Sequence, residues 1–358
     1  MSTSRLLIGT YTEKLPHVDG KADGILGSEY DASGALSPTT VLAEVRNPSW
    51  LVASAEGTRV YTVVETVDFE GQPGGGAAAY ARDPQTGELT LINAVPSGGT
   101  EPAHIEIDPS GRYVLEANYR TGSVAVFAIR DDGGLGETVE HVQFEGSGPH
   151  PIRQTNPHAH QIVFDPTIPG RVLIPDLGTD SLRSFDFGAD GSLTEHPERV
   201  FRTAPGAGPR HIAFHPGGEH LFLLNELDNT LLVLRRDGDG FVQTNVASTL
   251  PDGHTGHSQG AAIRVSPSGR HVLTSNRGFD SIAIFAFDET AQTVTLKHLE
   301  PTQGLEPRDF VFTPDGSQVL VANQDSDSVL AFDYDDSAPA LRHRATSAAL
   351  TPTCLVFV

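Results

Sequence analysis

Gly208-Pro-Arg-His-Ile-Ala-Phe-His-Pro-Gly-Gly-Glu-His-Leu-Phe-Leu-Leu-Asn-Glu226 reads as a strand, a Pro-Gly turn and a second strand. An antiparallel pair joined by a tight turn brings its two outer ends together. Arg210 and Glu226 are therefore expected at the same rim of one hairpin. The same unit recurs at Asn47-Pro-Ser-Trp-Leu, Glu101-Pro-Ala-His-Ile, Asn156-Pro-His-Ala-His, Gln259-Gly-Ala-Ala-Ile and Glu306-Pro-Arg-Asp-Phe. Most copies continue to a Pro-x-Gly turn, as at Pro109 to Gly111, Pro267 to Gly269 and Pro314 to Gly316; Pro216-Gly217 is close. A second apolar strand follows and often ends in Asn (Asn118, Asn225, Asn276, Asn323). A third strand such as Ser281-Ile-Ala-Ile-Phe285 and a more polar fourth close each unit.

The period is about 50 residues, and four strands at that period mark a β-propeller. A seventh copy is split between the ends of the chain. Thr351-Pro-Thr-Cys-Leu-Val-Phe-Val358 matches the first strand of the unit and Leu6-Leu-Ile-Gly-Thr-Tyr11 the second; Ile25 to Tyr30 and Thr40 to Val45 match the third and fourth. The expected fold is all-β: seven blades of four antiparallel strands, closed by pairing the terminal strands in one blade, with residues 1–358 forming a single domain. Closure of this kind completes the ring and leaves only short, protected sheet edges.

Composition narrows the functions. Lys plus Arg is 24 and Asp plus Glu 46, a net charge of −22. That argues against nucleic acid or an anionic membrane as a partner. No apolar run is long enough to span a bilayer. The N-terminus enters a strand pattern without the features of a signal peptide, and the one cysteine, Cys354, forms no intrachain disulfide, which together point to the cytoplasm. Cys354, Trp50 and Phe310 read as packing residues, and Asp325 and Asp327 as solvated or turn-capping.

Equivalent positions in a propeller fall on rings around the central channel. The residue after each starting proline is Ser49, Ala103, Arg210, Ala261, Arg308 or Thr353, with His160 the counterpart in the third blade, which carries two extra residues. The residue closing each second strand is Glu65, Tyr119, Leu177, Glu226, Arg277, Gln324 or Tyr11. Both rings lie at one end of the channel, placing His160, Arg210, Arg308, Glu226, Arg277, Gln324, Tyr119 and Tyr11 around one mouth. Arginines gathered there, on so acidic a protein, point to an anionic ligand. His160 and Glu226 are the candidates for proton transfer. Two other patterns carry less. His158-Ala-His160, with His150, has metal-ligand character but no third ligand of forced position, so no metal and no cofactor is expected. Gly256-His-Ser-Gln-Gly260 matches a nucleophile-elbow pattern, but a loop precedes it and a strand follows it, the reverse of what that motif needs.

At these residues the sequence resembles the seven-bladed propeller lactonases, which include the bacterial propeller-type 6-phosphogluconolactonases and the fungal 3-carboxy-cis,cis-muconate lactonising enzymes. The resemblance is carried by Arg153-Gln154 with Pro157-His-Ala-His-Gln161, by Val172 to Gly178, by Gly208-Pro-Arg-His211 with Asn225-Glu226, by Ser275-Asn-Arg-Gly278 and by Val321-Ala-Asn-Gln-Asp325. Ala262 departs from the family, where an acidic residue is frequent. The resemblance implies a metal-independent site at the channel mouth built from a histidine, two arginines and a glutamate. By motif these are His160, Arg210, Arg277 and Glu226, the four that the ring positions also select. Arg308, Gln324, Tyr119, Tyr11, His158 and Arg153 are the expected substrate-binding residues. The implied reaction is hydrolysis of a sugar lactone such as 6-phosphogluconolactone; the alternatives are the related cyclase reaction and a non-catalytic binding propeller. The expected partner is a small anionic lactone or carboxylate, and the expected assembly a monomer or weak homodimer.

Overall fold

In the computed structural model, which describes residues 4–31 and 33–358, seven antiparallel sheets are arranged as blades around a channel. Blade four is typical, with Pro209–Phe214, His220–Asn225, Thr230–Asp237 and Gly240–Ser248 side by side from the channel outward. The closing blade takes its innermost strand, Pro352–Phe357, from one end of the chain and the adjoining Ser4–Thr10 from the other. Gly24–Tyr30 and Thr40–Glu44 complete it in the expected order.

The turns explain the Pro-x-Gly signature. Gly111, Gly269 and Gly316 sit at φ of +69°, +77° and +71°, where a Cβ is unfavourable. In blade four the left-handed residue is Gly218, at +74°, so that Pro216-Gly-Gly218 is itself a Pro-x-Gly turn.

The core lies between blades. Leu224, Val233, Ala283 and Phe285 join blades four and five, and Leu6, Ile8, Leu320 and Ala331 join blade six to the closing blade. Phe127, Phe222, Phe285 and Phe332 are fully buried, and each such side chain contributes ~1.5–3 kcal/mol relative to exposure. Apolar residues on both faces of the second and third strands supply this packing, while the fourth strands stay half-solvated.

Two expectations change. The inner strand of blade three is interrupted: its ladder is only Val163–Phe164, and nearer the rim Ala159 pairs with Asp176 as an isolated bridge. Trp50 packs against the cores on either side of blade one but is only partly buried. It stands at the channel, its ring 4.6 Å from that of His104 and 5.5 Å from that of His211.

Candidate active site

A repeated backbone device builds the rim. In blades one, two, four, six and the closing blade, the residue before the starting proline or its counterpart has positive φ: Asn47, Glu101, Gly208, Glu306 and Thr351. Its carbonyl accepts a hydrogen bond from the N–H of the residue that ends the second strand, namely Glu65, Tyr119, Glu226, Gln324 and Tyr11 (2.7–3.2 Å). Just after the proline the ladder skips a residue, so that Ala103, Arg210, Arg308 and Thr353 are bulged out of register. A bulge re-aims a side chain. Here it turns two arginines toward the channel and sets Glu226 beside one of them.

Glu226, almost wholly buried, is the centre of the charge network. Arg153 Nη2 donates to its Oε1 at 2.5 Å. Arg210 Nε and Arg277 Nη2 lie 3.0 and 3.1 Å from its Oε2, at ion-pair distance but without hydrogen-bond alignment. His160 Nε2 is 3.8 Å from the same oxygen. Burial would raise the carboxyl's pKa, but Arg277, Arg153 and Arg210 reverse this and hold it well below the usual carboxylate range. The imidazole of His160 is driven the other way, to the neutral form, by burial and then by Arg210, against the opposing pull of Glu226. Its Nδ1 has no hydrogen-bond partner, and neither do Nε and Nη2 of Arg277.

A second network lies across the mouth. Arg308 donates to the Tyr11 hydroxyl (2.8 Å) and reaches Gln324 Oε1 (3.4 Å); Tyr11 in turn donates to Glu65 Oε1 (2.8 Å), whose other oxygen is held by Ser49. Burial raises the Glu65 pKa, offset in part by Arg308.

Between the two networks is a cavity of about 380 Å³. Of the expected site residues, Tyr119, Arg153, His160, Glu226, Arg277 and Arg308 line it. The other four lie behind its wall rather than on it. Arg210 is beneath Glu226, with Nη1 on the Ala261 carbonyl. Tyr11 and Gln324 are spent on Arg308. His158 stacks on Tyr119 (4.5 Å, 15°) and its Nδ1 donates to the Tyr119 carbonyl (2.8 Å). That bond fixes the His158 proton on Nδ1, since a carbonyl only accepts. His150 Nδ1 accepts from the N–H groups of Ile152 and Arg153, pinning the loop that presents Arg153. Among the described residues no three metal-ligating side chains converge.

Sequence reasoning missed His17, Glu101, His257 and Gln259, which also line the cavity. His17 is at the tip of a small hairpin, Lys14–Leu15 with Val18–Asp19, inside the connection between the second and third strands of the closing blade. The unusual length of that connection was the available signal.

A cavity lined by three arginines, three glutamates and a buried histidine, on a ring of seven blades, marks the molecule as a β-propeller with a strongly charged cavity. Residues 5–357 match the family described as Lactonase, 7-bladed beta-propeller, and the chain belongs to that family, which makes it an enzyme of the lactone-hydrolase class. It is 38% identical over 308 residues to the 6-phosphogluconolactonase of Bacillus subtilis (strain 168), covering 85% of this chain and 84% of that one. It is 31% identical over 313 residues to the 6-phosphogluconolactonase of Formosa agariphila, covering 85% of each. Among solved structures it resembles the periplasmic gluconolactonase of Pseudomonas aeruginosa, with a TM-score of 0.92 and 31% identity over 100% of this chain and 99% of the other. Among the described residues no helix is long and apolar enough to cross a membrane.

Proposed function

We propose that this chain hydrolyses a phosphorylated sugar lactone of the 6-phosphogluconolactone type in the cavity at the channel mouth, with side chains alone supplying the charges the reaction needs. The observation that carries this reading is that a buried His160, driven to the neutral form, and Arg277, whose Nε has no hydrogen-bond acceptor in the protein, line the same cavity. His160 takes a proton from water as that water bonds to the lactone carbonyl carbon, and returns it to the ring oxygen as the ring C–O bond of the tetrahedral intermediate breaks. Glu226, kept ionised by its arginines, faces the imidazolium that forms. It is a clamp rather than a base, because a carboxylate held so far below neutrality accepts protons poorly. Arg277 supplies donors to the oxygen of the lactone carbonyl as negative charge develops on it. Arg308, anchored through Tyr11 and Gln324, and Arg153, anchored through Tyr119, hold the distal phosphate. Arg210 acts through Glu226, as a positioning residue.

The test is enzymatic opening of 6-phosphogluconolactone above its spontaneous rate. His160→Ala is expected to lower kcat by about 10²–10⁴, the usual range for a lost general base. Glu226→Gln is expected to lower it as well, by releasing Arg153, Arg210 and Arg277 from their common anchor. Wild-type turnover in both variants would defeat the assignment. Activity on a carboxymuconate with none on the lactone would replace the hydrolase reading with the cyclase one.

A further inference from the structure

The channel holds a second cavity, larger than the first, at about 800 Å³. It opens at the opposite end, where Ser54–Gly57 turn and the closing strand runs out at Phe357 and Val358. The rings of Trp50, His104, His211 and His160, with centroids 4.6–6.3 Å apart, separate it from the cavity above. Three arginines, Arg5, Arg82 and Arg264, reach into it.

These arginines are not equivalent. Arg264 is neutralised by the buried Asp309 at 2.7 Å. Arg82 is different. Five arginines are buried among the described residues: Arg82, Arg171, Arg183, Arg210 and Arg277. The other four each have a carboxylate within ion-pair distance; Arg82 has none. Its Nη1 donates to the Gly57 carbonyl (2.8 Å), while its Nε, also buried, has no acceptor. Beside it Arg5 is tied to the Pro84 and Gln85 carbonyls and likewise pairs with no carboxylate. Burial, and then the charge of Arg5, lower the Arg82 pKa. Both side chains also line an adjoining groove of about 240 Å³ between the closing blade and blade one. Of the acids around the cavity, Glu29 and Glu56 are exposed, and burial pushes Glu106 up to about 7, weakening its charge. Asp83, the nearest acid to both arginines, is exposed and forms no ion pair with either, and a buried guanidinium without a paired carboxylate is costly.

We propose that this lower cavity is a second anion site, in which Arg82, with Arg5 beside it, grips a phosphate or carboxylate oxyanion. The forked guanidinium suits either group. The site is separate from the lactone cavity and shares no lining residue with it.

The experiment measures binding of inorganic phosphate, and of gluconate as a carboxylate probe, to the full chain by calorimetry, with thermal unfolding recorded alongside. Arg277→Gln serves to disable the upper cavity. Binding that persists in Arg277→Gln and weakens by about tenfold or more in Arg82→Gln is the expected result, since a hydrogen-bonded charge is lost. Without ligand, Arg82→Gln should unfold no lower than the wild type, having shed an uncompensated charge. The tighter of the two probes then names the ligand group. Should Arg82→Gln fail to fold, Arg5→Gln is read in its place and should weaken binding several-fold. Neither probe binding to Arg277→Gln, or an affinity indifferent to Arg82→Gln and Arg5→Gln, would overturn the proposal.

Discussion

His160 and Glu226 illustrate how one buried setting pushes two groups in opposite directions. Desolvation disfavours charge on both, and arginines then favour the carboxylate and disfavour the imidazolium. The consequence is a pH profile. A general base works only unprotonated, so a lowered pKa carries activity into more acidic solution. The acid limb of kcat/KM on the lactone is expected below the ordinary histidine value of about 6.5. In Glu226→Gln any residual limb should move lower still, because the one charged group that raises the His160 pKa has been neutralised. A limb at or above 6.5 in the wild type would contradict the role given to His160. At this scale the sequence was legible wherever a residue kept its place in the repeat. Counting from the turns was enough to bring together His160, Arg210, Glu226 and Arg277. It did not separate Arg277, on the cavity wall, from Arg210, behind it, because that distinction depends on which donors the carboxylate and the Ala261 carbonyl already occupy.

The hairpin from Gly208 to Glu226 shows why the rim holds its shape. Gly208 at φ +67° lends its carbonyl to the N–H of Glu226 (2.7 Å), and the bulge two residues later releases Arg210 from the ladder. Blades one, two, six and the closing blade adopt the same turn with Asn47, Glu101, Glu306 and Thr351, accepting the strain of a left-handed non-glycine residue. A β-branched residue tolerates that region worst. At Gly208 a Cβ would also lie 2.6 Å from Leu227 Cγ and 3.2 Å from Leu177 Cγ. Gly208→Val is therefore expected to destabilise the fold by ~2 kcal/mol or more, combining backbone strain with crowding. It should lower kcat too, as Arg210 and Glu226 lose their common register. Denaturant unfolding and the lactone assay measure the two effects; an unaltered unfolding midpoint would show that the left-handed turn is not required. The starting prolines made this element visible in the sequence, but the bulge left no mark of its own. The hairpin carrying His17 was invisible for a different reason: it interrupts the repeat, and periodicity reports only what recurs.

Across the whole molecule, charge is sorted by depth. The chain carries a net −22, yet at the channel mouth Arg308, Arg277 and Arg153 add to desolvation in pushing His17 down to about 4. Composition reports the total and not the sorting, which depends on rings of positions that only the closed propeller brings together. The terminal strands show the contrast. Their apolar pattern disclosed the closure, because Leu6 and Ile8 pair with Phe357 and Leu355, and all four pack against blade six. The acidic exterior exerts a repulsion that the fold has to withstand at all times. Exposed charges further apart than about 10 Å are screened at 0.1 M salt, whereas buried pairs are screened much less. Sodium chloride should thus relieve the surface repulsion while leaving the Glu226 network in place. The thermal midpoint is expected to rise steadily from low salt to ~1 M, as the Debye length contracts to about 3 Å, with the pH profile of lactone hydrolysis keeping its shape. A midpoint that falls over this range would mean that surface ion pairs such as Arg46 with Glu13 and Asp68 outweigh the general repulsion, and that the acidic exterior is balanced locally rather than merely tolerated.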